Sequence, residues 1–404
     1  MKLPDALWRH RTGMDDLVRV LDAARGQTRY VGGCVRDTLL GLPVADLDFA
    51  TRLVPEEVMK RLRRANIRAV PTGLAHGTVT AVLPDGHVEI TTLRRDVSTD
   101  GRRATVAYTD DWREDAARRD FTINALSADP ITGEVHDYFD GAADLRARRV
   151  RFIGDPFVRI AEDHLRILRF FRFHARFGAA EPDADALEAC TARANDLMAL
   201  SRERIADELL KLLGLPEPGP TLALMVSRNI LAPVLPEIDS SGVERLARLC
   251  ARESALDVPA EPLRRLAALL PADPDVAASV GARLRLSNKA TKRLVSAASP
   301  EGPTGDSRAL AYRVGAAEAV DRLLLREEDM SALAAALSML RGWERPRLAV
   351  SGGDIVAMGV EAGPLVAATM QAIEKEWVEA GFPADRNVQR AIARRHVAQA
   401  KASQ

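Results

Sequence analysis

Two aspartates one residue apart, Asp46 and Asp48, are the side chains whose type and spacing most directly suggest chemistry. Acidic and apolar residues alternate over 44–50, the period of a strand with two distinct faces. Residues i and i+2 share a face, so this reading aims both carboxylates one way and sends Leu47 and Phe49 into a core. Carboxylates so placed repel and raise each other's pKa unless a cation holds them. Mg²⁺ suits the pair because it takes hard oxygen ligands and keeps positions for water and substrate phosphates. In phosphoryl transfer such an arrangement serves an attacking hydroxyl and a departing pyrophosphate. A solvated edge strand is the plain alternative.

Other residues change the balance. Gly32 and Gly33 close a short apolar segment and open a helix that carries Arg36, and a strand-to-helix glycine turn offers backbone N–H groups to phosphate. Arg36 adds a charged donor to the same phosphates. Farther on, Arg118, Arg119 and Asp120 stand before Phe121-Thr122-Ile123-Asn124, which reads as the start of a helix. A third constellation lies on what reads as one helix over 154–173, with Ile160, His164, Ile167 and Phe171 as its apolar stripe. On that helix Asp163 and Arg166 stand at i and i+3, close enough to touch. Cytosine and adenine each present an exocyclic amine beside an unprotonated ring nitrogen. A carboxylate accepts from the amine and a guanidinium donates to the nitrogen. Uracil and guanine reverse both contacts, which would leave buried charges unpaired. A salt bridge on a helix surface is the alternative for this pair.

The elements that must position these groups follow from periodicity. Residues 14–25 read as an amphipathic helix, 55–65 as another, and 79–83 with 88–93 as a hairpin around Pro84-Asp85-Gly86. This mixed α/β unit spans about 150 residues, the size of one domain. Beyond Pro156 strand signals fade, and helical periodicity is interrupted by proline-rich joints at 215–220, 258–262, 271–274 and 299–303. The expected architecture is an α+β head, a mixed sheet with helices over 1–150. An extended all-α neck (151–215), body (216–345) and tail (346–404) follow it.

Bulk composition sets the limits. The chain has 404 residues, 47% hydrophobic and 28% charged, a globular mix long enough for several cores. Lysine plus arginine equals aspartate plus glutamate at 57 each, so any nucleic-acid surface must be local. Arg283, Arg285, Lys289, Lys292 and Arg293 form one such basic cluster. Three scattered cysteines argue against a disulfide framework and for a reducing cytoplasm. No signal peptide is read at the start, and no apolar run approaches the ~18 residues of a membrane span.

The strings Tyr30-Val-Gly-Gly-Cys-Val-Arg-Asp37, Leu39-Leu-Gly-Leu-Pro43 and Asp46-Leu-Asp-Phe-Ala-Thr51 resemble the first signature of class II tRNA nucleotidyltransferases (CCA-adding enzymes) and bacterial poly(A) polymerases. The stretch 118–126 resembles the second signature of that family, and Glu162-Asp163-x-x-Arg166 its base-selecting motif. The resemblance implies that Asp46 and Asp48 hold Mg²⁺ and that Gly33, Arg36, Arg119 and Asp120 meet the nucleotide, with Asp120 on a ribose hydroxyl. It also implies that Asp163 and Arg166 read the base. Arg169 and Arg172 are then partners of the triphosphate or supports of that pair, and Glu203, Arg204 and Glu208 brace the reading helix. Glu89 is the implied third carboxylate, with Asp110 and Asp111 as rivals. A loop over 94–110 matches the place of one associated with adding the final A. Segment 350–364 resembles a tail that meets the tRNA elbow. The implied reaction adds CCA to a tRNA 3′ end from CTP and ATP. Poly(A) addition is the alternative, and an inactive RNA-binding homologue is a more distant one.

Overall fold

The computed structural model describes residues 1–100, 103–299 and 306–402. It divides into two compact units, Met1–Pro236 and Glu237–Gln404. In the first unit α1 (Met14–Val20) precedes β1 (Thr28–Val31), and α2 (Gly33–Leu39) leads to β2 (Asp48–Thr51). Next come α3 (Pro55–Arg64), β3 (Arg68–Gly73), β4 (Thr78–Leu83) and β5 (Gly86–Thr92). These strands join β8 (Ser127–Ala128) and β9 (Val135–His136) in a seven-stranded sheet of order β3-β4-β5-β2-β1-β8-β9. Only β2 and β5 run parallel, in the register Asp48↔Glu89. A separate antiparallel pair, β6 (Arg94–Asp100) and β7 (Arg103–Tyr108), falls within the 94–110 segment. Its tip, 101–102, lies outside the described residues, as do the side chains of 96–100 and 103–106.

The expected hairpin and the glycine turn are present, but four expected elements differ. The first helix stops at Val20. Asp22 takes a left-handed φ of 57°, and the Thr28 hydroxyl donates to the Leu21 carbonyl at 2.8 Å. The strand expected over 44–50 begins only at Asp48, where its ladder with β5 starts (Asp48↔Glu89), one residue beyond its last pair with β1 (Tyr30↔Phe49). Extended backbone nevertheless reaches Leu47, whose carbonyl accepts from the Glu89 N–H at 3.0 Å. Leu47 and Phe49 are buried while Asp46 is exposed, so the expected alternation survives the shorter strand. After Asp120 there is one 3₁₀ turn, Thr122–Asn124, rather than a helix.

The largest difference concerns 154–173. Instead of one helix there are two, α6 (Pro156–Glu162) and α7 (Arg166–Phe177), with Asp163 in extended backbone between them. Asp155 caps α6 by accepting from the Phe157 N–H at 2.7 Å, and Pro156 fits the first turn, where its missing N–H costs nothing. The Asp163 carboxylate turns back to the Leu165 N–H at 3.1 Å, competing with helix continuation as short polar side chains do. Downstream, α7 buries Phe170, Phe171, Phe173 and Phe177 and keeps its arginines on another face. Phe121 packs on Phe152 at 4.8 Å between ring centres and on Phe173 at 5.3 Å. That aromatic cluster fixes the Arg119–Asp120 turn against α7. The helices α4 (Trp112–Ala117), α5 (Gly141–Arg146), α8 (Ala184–Ala192), α9 (Arg202–Leu213) and α10 (Gly219–Ser227) complete the unit.

The second unit is helical throughout its described residues. It runs through α11 (Ser240–Ala255), α12 (Pro262–Leu269), α13 (Pro274–Arg283), α14 (Asn288–Ala298), α15 (Ser307–Val314) and α16 (Ala316–Arg326). It continues with α17 (Met330–Leu340), α18 (Gly352–Ala357), α19 (Pro364–Glu379) and α20 (Arg386–Ala402). The proline joints at 258–262, 271–274 and 299–303 fall between these helices, that at 215–220 falls between α9 and α10 of the first unit, and residues 300–305 lie outside the described residues. A charged cluster ties four of the helices together. Glu253 accepts from Arg264 and Arg265, each at 2.8 Å, and Asp321 accepts from Arg293 at 2.6 Å while lying 3.4 Å from Arg264. Two members of the expected basic RNA cluster are therefore committed inside the protein: Arg293 to Asp321 and Glu261, and Arg283 to Glu237.

Glu253, Arg264 and Arg265 are almost wholly buried, so removing the carboxylate strands two guanidiniums. Glu253→Ala is expected to cost the second unit about 3–5 kcal/mol in urea unfolding. Lys289→Ala, on an exposed site, should stay within about 0.5 kcal/mol.

Candidate active site

A cavity of about 580 Å³ in the first unit gathers nearly every residue singled out by the sequence. Gly33, Arg36, Asp46, Asp48, Arg119, Asp120, Asp163, Arg166, Arg169 and Arg172 all line it. Glu89 does not. It lines a neighbouring cavity of about 500 Å³, which shares Asp46 and Asp48 with the first. Of its rivals, Asp111 caps α4 by accepting from the Arg113 N–H at 2.7 Å, and Asp110 offers its main-chain carbonyl to Arg52 at 2.9 Å. Neither lines either cavity.

The glycine turn is shaped by its first member. Gly32 adopts φ 69°, and a Cβ there would stand 3.1 Å from the Arg119 guanidinium. Gly33 is the first residue of α2, where helix N–H groups lack intrahelical acceptors. Arg36 is buried. It donates to Asp37 at 2.7 Å and to Asn124, and lies 4.2 Å over the Phe177 ring. Burial lowers its pKa, though Asp37 opposes that.

Asp120 is held by three donors: the Phe121 N–H at 2.8 Å, Asn124 at 2.9 Å and Arg169 Nε at 2.7 Å. Burial alone would raise its pKa, but Arg169 and the other donors outweigh it and keep the carboxylate below the usual range. Arg169 also approaches Glu208 at 3.5 Å, and Arg172 donates to Glu208 at 2.6 Å. Here Glu208 of α9 braces α7, as the resemblance implies for it; of the other two residues in that set, Arg204 instead holds Asp163, which lies between α6 and α7. The row Arg166, Arg169, Arg172 continues to Arg176, which also lines the cavity and reaches Asp37 at 3.2 Å. Arg176 and Asn124 were missed by sequence reading. The helical spacing of the row was the available signal for Arg176, whereas Asn124 offered none.

Asp163 and Arg166 are not in contact through their side chains. The helix break turns Asp163 toward Arg204, whose Nη2 donates to both carboxylate oxygens at 3.1 and 2.8 Å. Arg166 donates to Glu162 at 2.6 Å and to the main-chain carbonyls of Arg159 and Arg118 at 2.7 and 3.2 Å. Each is fixed independently, and the expected i, i+3 contact is replaced by an acceptor and a donor that both line the cavity. His164, expected in the apolar stripe, is half-buried, with Nδ1 3.7 Å from Asp196.

The carboxylates of the β2 edge suit a divalent cation. Burial pushes Asp48 up to about 6, and Glu89 and Asp46 add to the shift while Arg119 opposes it. Acidic oxygens short of positive charge are what a hard cation relieves. Among the described residues no three His, Cys, Asp or Glu side chains form a closed cage. Two protein carboxylates with positions left for substrate oxygens is the arrangement Mg²⁺ ordinarily takes.

Residues 28–151 match the family described as the Poly A polymerase head domain, and 181–241 match the Probable RNA and SrmB- binding site of polymerase A. The human protein CCA tRNA nucleotidyltransferase 1, mitochondrial, is 32% identical over 390 residues, covering 93% of this chain and 88% of its own. A CCA-adding enzyme of Limosilactobacillus fermentum is 32% identical over 372 residues, covering 89% and 90%. The solved structure of the Bacillus stearothermophilus CCA-adding enzyme in complex with CTP superposes with a TM-score of 0.76 at 26% identity, covering 96% and 98% of the two chains.

The Asp48 shift fixes the sign of a pH effect. With its pKa raised from 3.8 to about 6, the folded protein binds more protons than the unfolded chain between these values. Stability therefore falls as pH rises through that window. In chelator, Asp48→Asn should raise unfolding stability above about pH 6 by up to ~3 kcal/mol, and the gain should vanish below about pH 4. Urea titrations of both proteins across this range would measure it.

Proposed function

The chain belongs to the family of CCA-adding tRNA nucleotidyltransferases, and on that premise we propose that it adds C, C and A to tRNA 3′ ends from CTP and ATP. The observation that carries the reading is the convergence of phosphate-binding, carboxylate and base-reading groups on one cavity. Asp46 and Asp48, with Glu89 beside them, would hold Mg²⁺, which when bound makes the terminal hydroxyl more acidic and offsets charge on the leaving pyrophosphate. The protein's own groups do the rest. The N–H groups at Gly33, with Arg36, Arg119, Arg169 and Arg172, bind and orient the triphosphate. Asp120 spends most of its accepting capacity on Phe121, Asn124 and Arg169. Arg169 Nη2 also lies against the same oxygen as its Nε, so Asp120 would meet a ribose hydroxyl only by sharing an oxygen with these donors.

Base choice rests on Asp163 and Arg166. Because each is pinned by its own partner, the pair presents one acceptor and one donor without collapsing into a mutual salt bridge. A carboxylate held by Arg204 accepts from the exocyclic amine of C or A, and a guanidinium held by Glu162 donates to the ring nitrogen. U and G would face like with like. Head, neck, body and tail, with boundaries near 150, 215 and 345, belong to this reading. So does RNA contact by the tail around 350–364. A cytoplasmic location also belongs to this reading, on the ground of the few, scattered cysteines. No helix among the described residues is long and apolar enough to cross a membrane.

Incubating the protein with tRNA lacking its terminal triplet, then sequencing the 3′ ends, tests the function. Addition of C, C and A alone is expected, and long A tails would establish poly(A) synthesis instead. Asp46→Ala should abolish incorporation while tRNA retention on filters stays near wild type. Arg166→Ala should lower the preference for CTP over UTP by at least ~100-fold in a competition assay; an unchanged ratio removes Arg166 from base selection.

A further inference from the structure

Most arginines in the second unit whose contacts are described above have a carboxylate. Arg264 and Arg265 share Glu253, Arg293 uses Asp321, and Arg283 uses Glu237. One cavity breaks this pattern. About 340 Å³ in volume, it is lined by Arg245, Arg248 and Arg252 of α11 and by Arg326 at the end of α16. The α11 residues stand at i, i+3 and i+7, so they share one helix face. Among the described residues none of the four forms an ion pair with a carboxylate. Glu328 is the one acidic residue lining the cavity.

Helix ends explain part of this charge. Arg245 donates to the carbonyls of Ala268 and Leu270 at 2.9 and 3.0 Å, Arg252 to Leu324 at 2.8 Å, and Arg326 to Ala298 and Ser299 at 3.0 and 2.9 Å. These carbonyls belong to the C-terminal ends of α12, α16 and α14. Each such end carries roughly half a negative charge. Three ends and Glu328 thus leave more than one positive charge unmatched among four guanidiniums. Moreover, Arg326 Nε is shielded from solvent without a partner, and the Arg248 side chain, exposed on α11, makes no hydrogen bond among the described residues. Burial, together with Arg322 and Arg245, lowers the Arg326 pKa, as expected where cations crowd without an anion.

We propose that this cavity is an anion site that takes a phosphate group, supplied by an RNA phosphodiester or by a free polyphosphate such as pyrophosphate. Fork-shaped guanidinium donors on one helix face match phosphate oxygens bidentately. The volume admits the group with some of its waters. The RNA source rests on the function proposed above, whereas the free-anion source does not.

The test treats the full-length protein in chelator with phenylglyoxal, an arginine reagent, and maps modified sites by mass spectrometry with and without added pyrophosphate or tRNA. Protection of Arg248 and Arg252 by pyrophosphate is the result expected of a free-anion site. Protection by tRNA alone is expected of a phosphodiester site. In that case Arg248→Glu should also reduce the slope of log affinity against log salt for tRNA by about one. Protection by neither ligand overturns the proposal, as does protection by tRNA alone with an unchanged slope. Arg248 is exposed and unbonded, so its substitution leaves the packing of α11 intact. Arg252→Gln provides a second variant that keeps a donor for Leu324. Incorporation of CTP and ATP, measured on the same wild-type preparation, reports the proposed function separately. Its absence would refute that function without touching the pyrophosphate result.

Discussion

A charge taken out of water must find its opposite nearby, and in the first unit that requirement joins segments distant in sequence. Arg169 connects Asp120, from the turn after α4, to Glu208 of α9. Arg172 shares Glu208, Arg204 of the same helix holds Asp163, and Arg36 joins Asp37 to Asn124. Cut any of these links and a charge lining the cavity loses its fixed position before any substrate arrives. The network converts a polar cleft, in which long side chains would otherwise wander, into a set of donors and acceptors at defined places. Preorganisation of this kind lowers the ordering cost of binding and confers discrimination.

The β2 edge obeys the opposite arrangement. Asp48 faces two further carboxylates with Arg119 alone among the named opposing charges, and its proton affinity rises accordingly. One side of the cavity is fixed by ion pairs in which two guanidiniums often share one carboxylate, and the other is left with surplus negative charge. The cavity in the second unit mirrors this situation with the sign reversed. In both places the surplus is legible because the surroundings are so consistently paired.

Much of the site could be read from the sequence because its signals are local. The Gly32–Gly33 turn and the shared face of Asp46 and Asp48 follow from local rules of chirality and period, whereas the arginines of α7 were marked by resemblance to a known motif. The break at Asp163 was not legible, since apolar periodicity runs through it without a glycine or proline to mark it. What ends the helix is a carboxylate bonding to the Leu165 N–H and an arginine some forty residues away. The early start assigned to β2 failed for a related reason: alternation records which face is buried, whereas strand length depends on where the neighbouring strands stop. Arg293 looked like an RNA contact because its carboxylate partners lie on other helices.

The turn at Gly32 carries one more implication. Its left-handed backbone strains any side chain, and a Cβ there would press to 3.1 Å on the Arg119 guanidinium, which would have to give way by a few tenths of an ångström. The two costs are separate in kind, one a contact with a movable side chain and the other a property of the backbone. Relieving the crowding leaves the torsional penalty, and relaxing the torsion leaves the crowding. A side chain at position 32 would thus be felt twice, once in its own backbone and once in the placement of a guanidinium that lines the cavity.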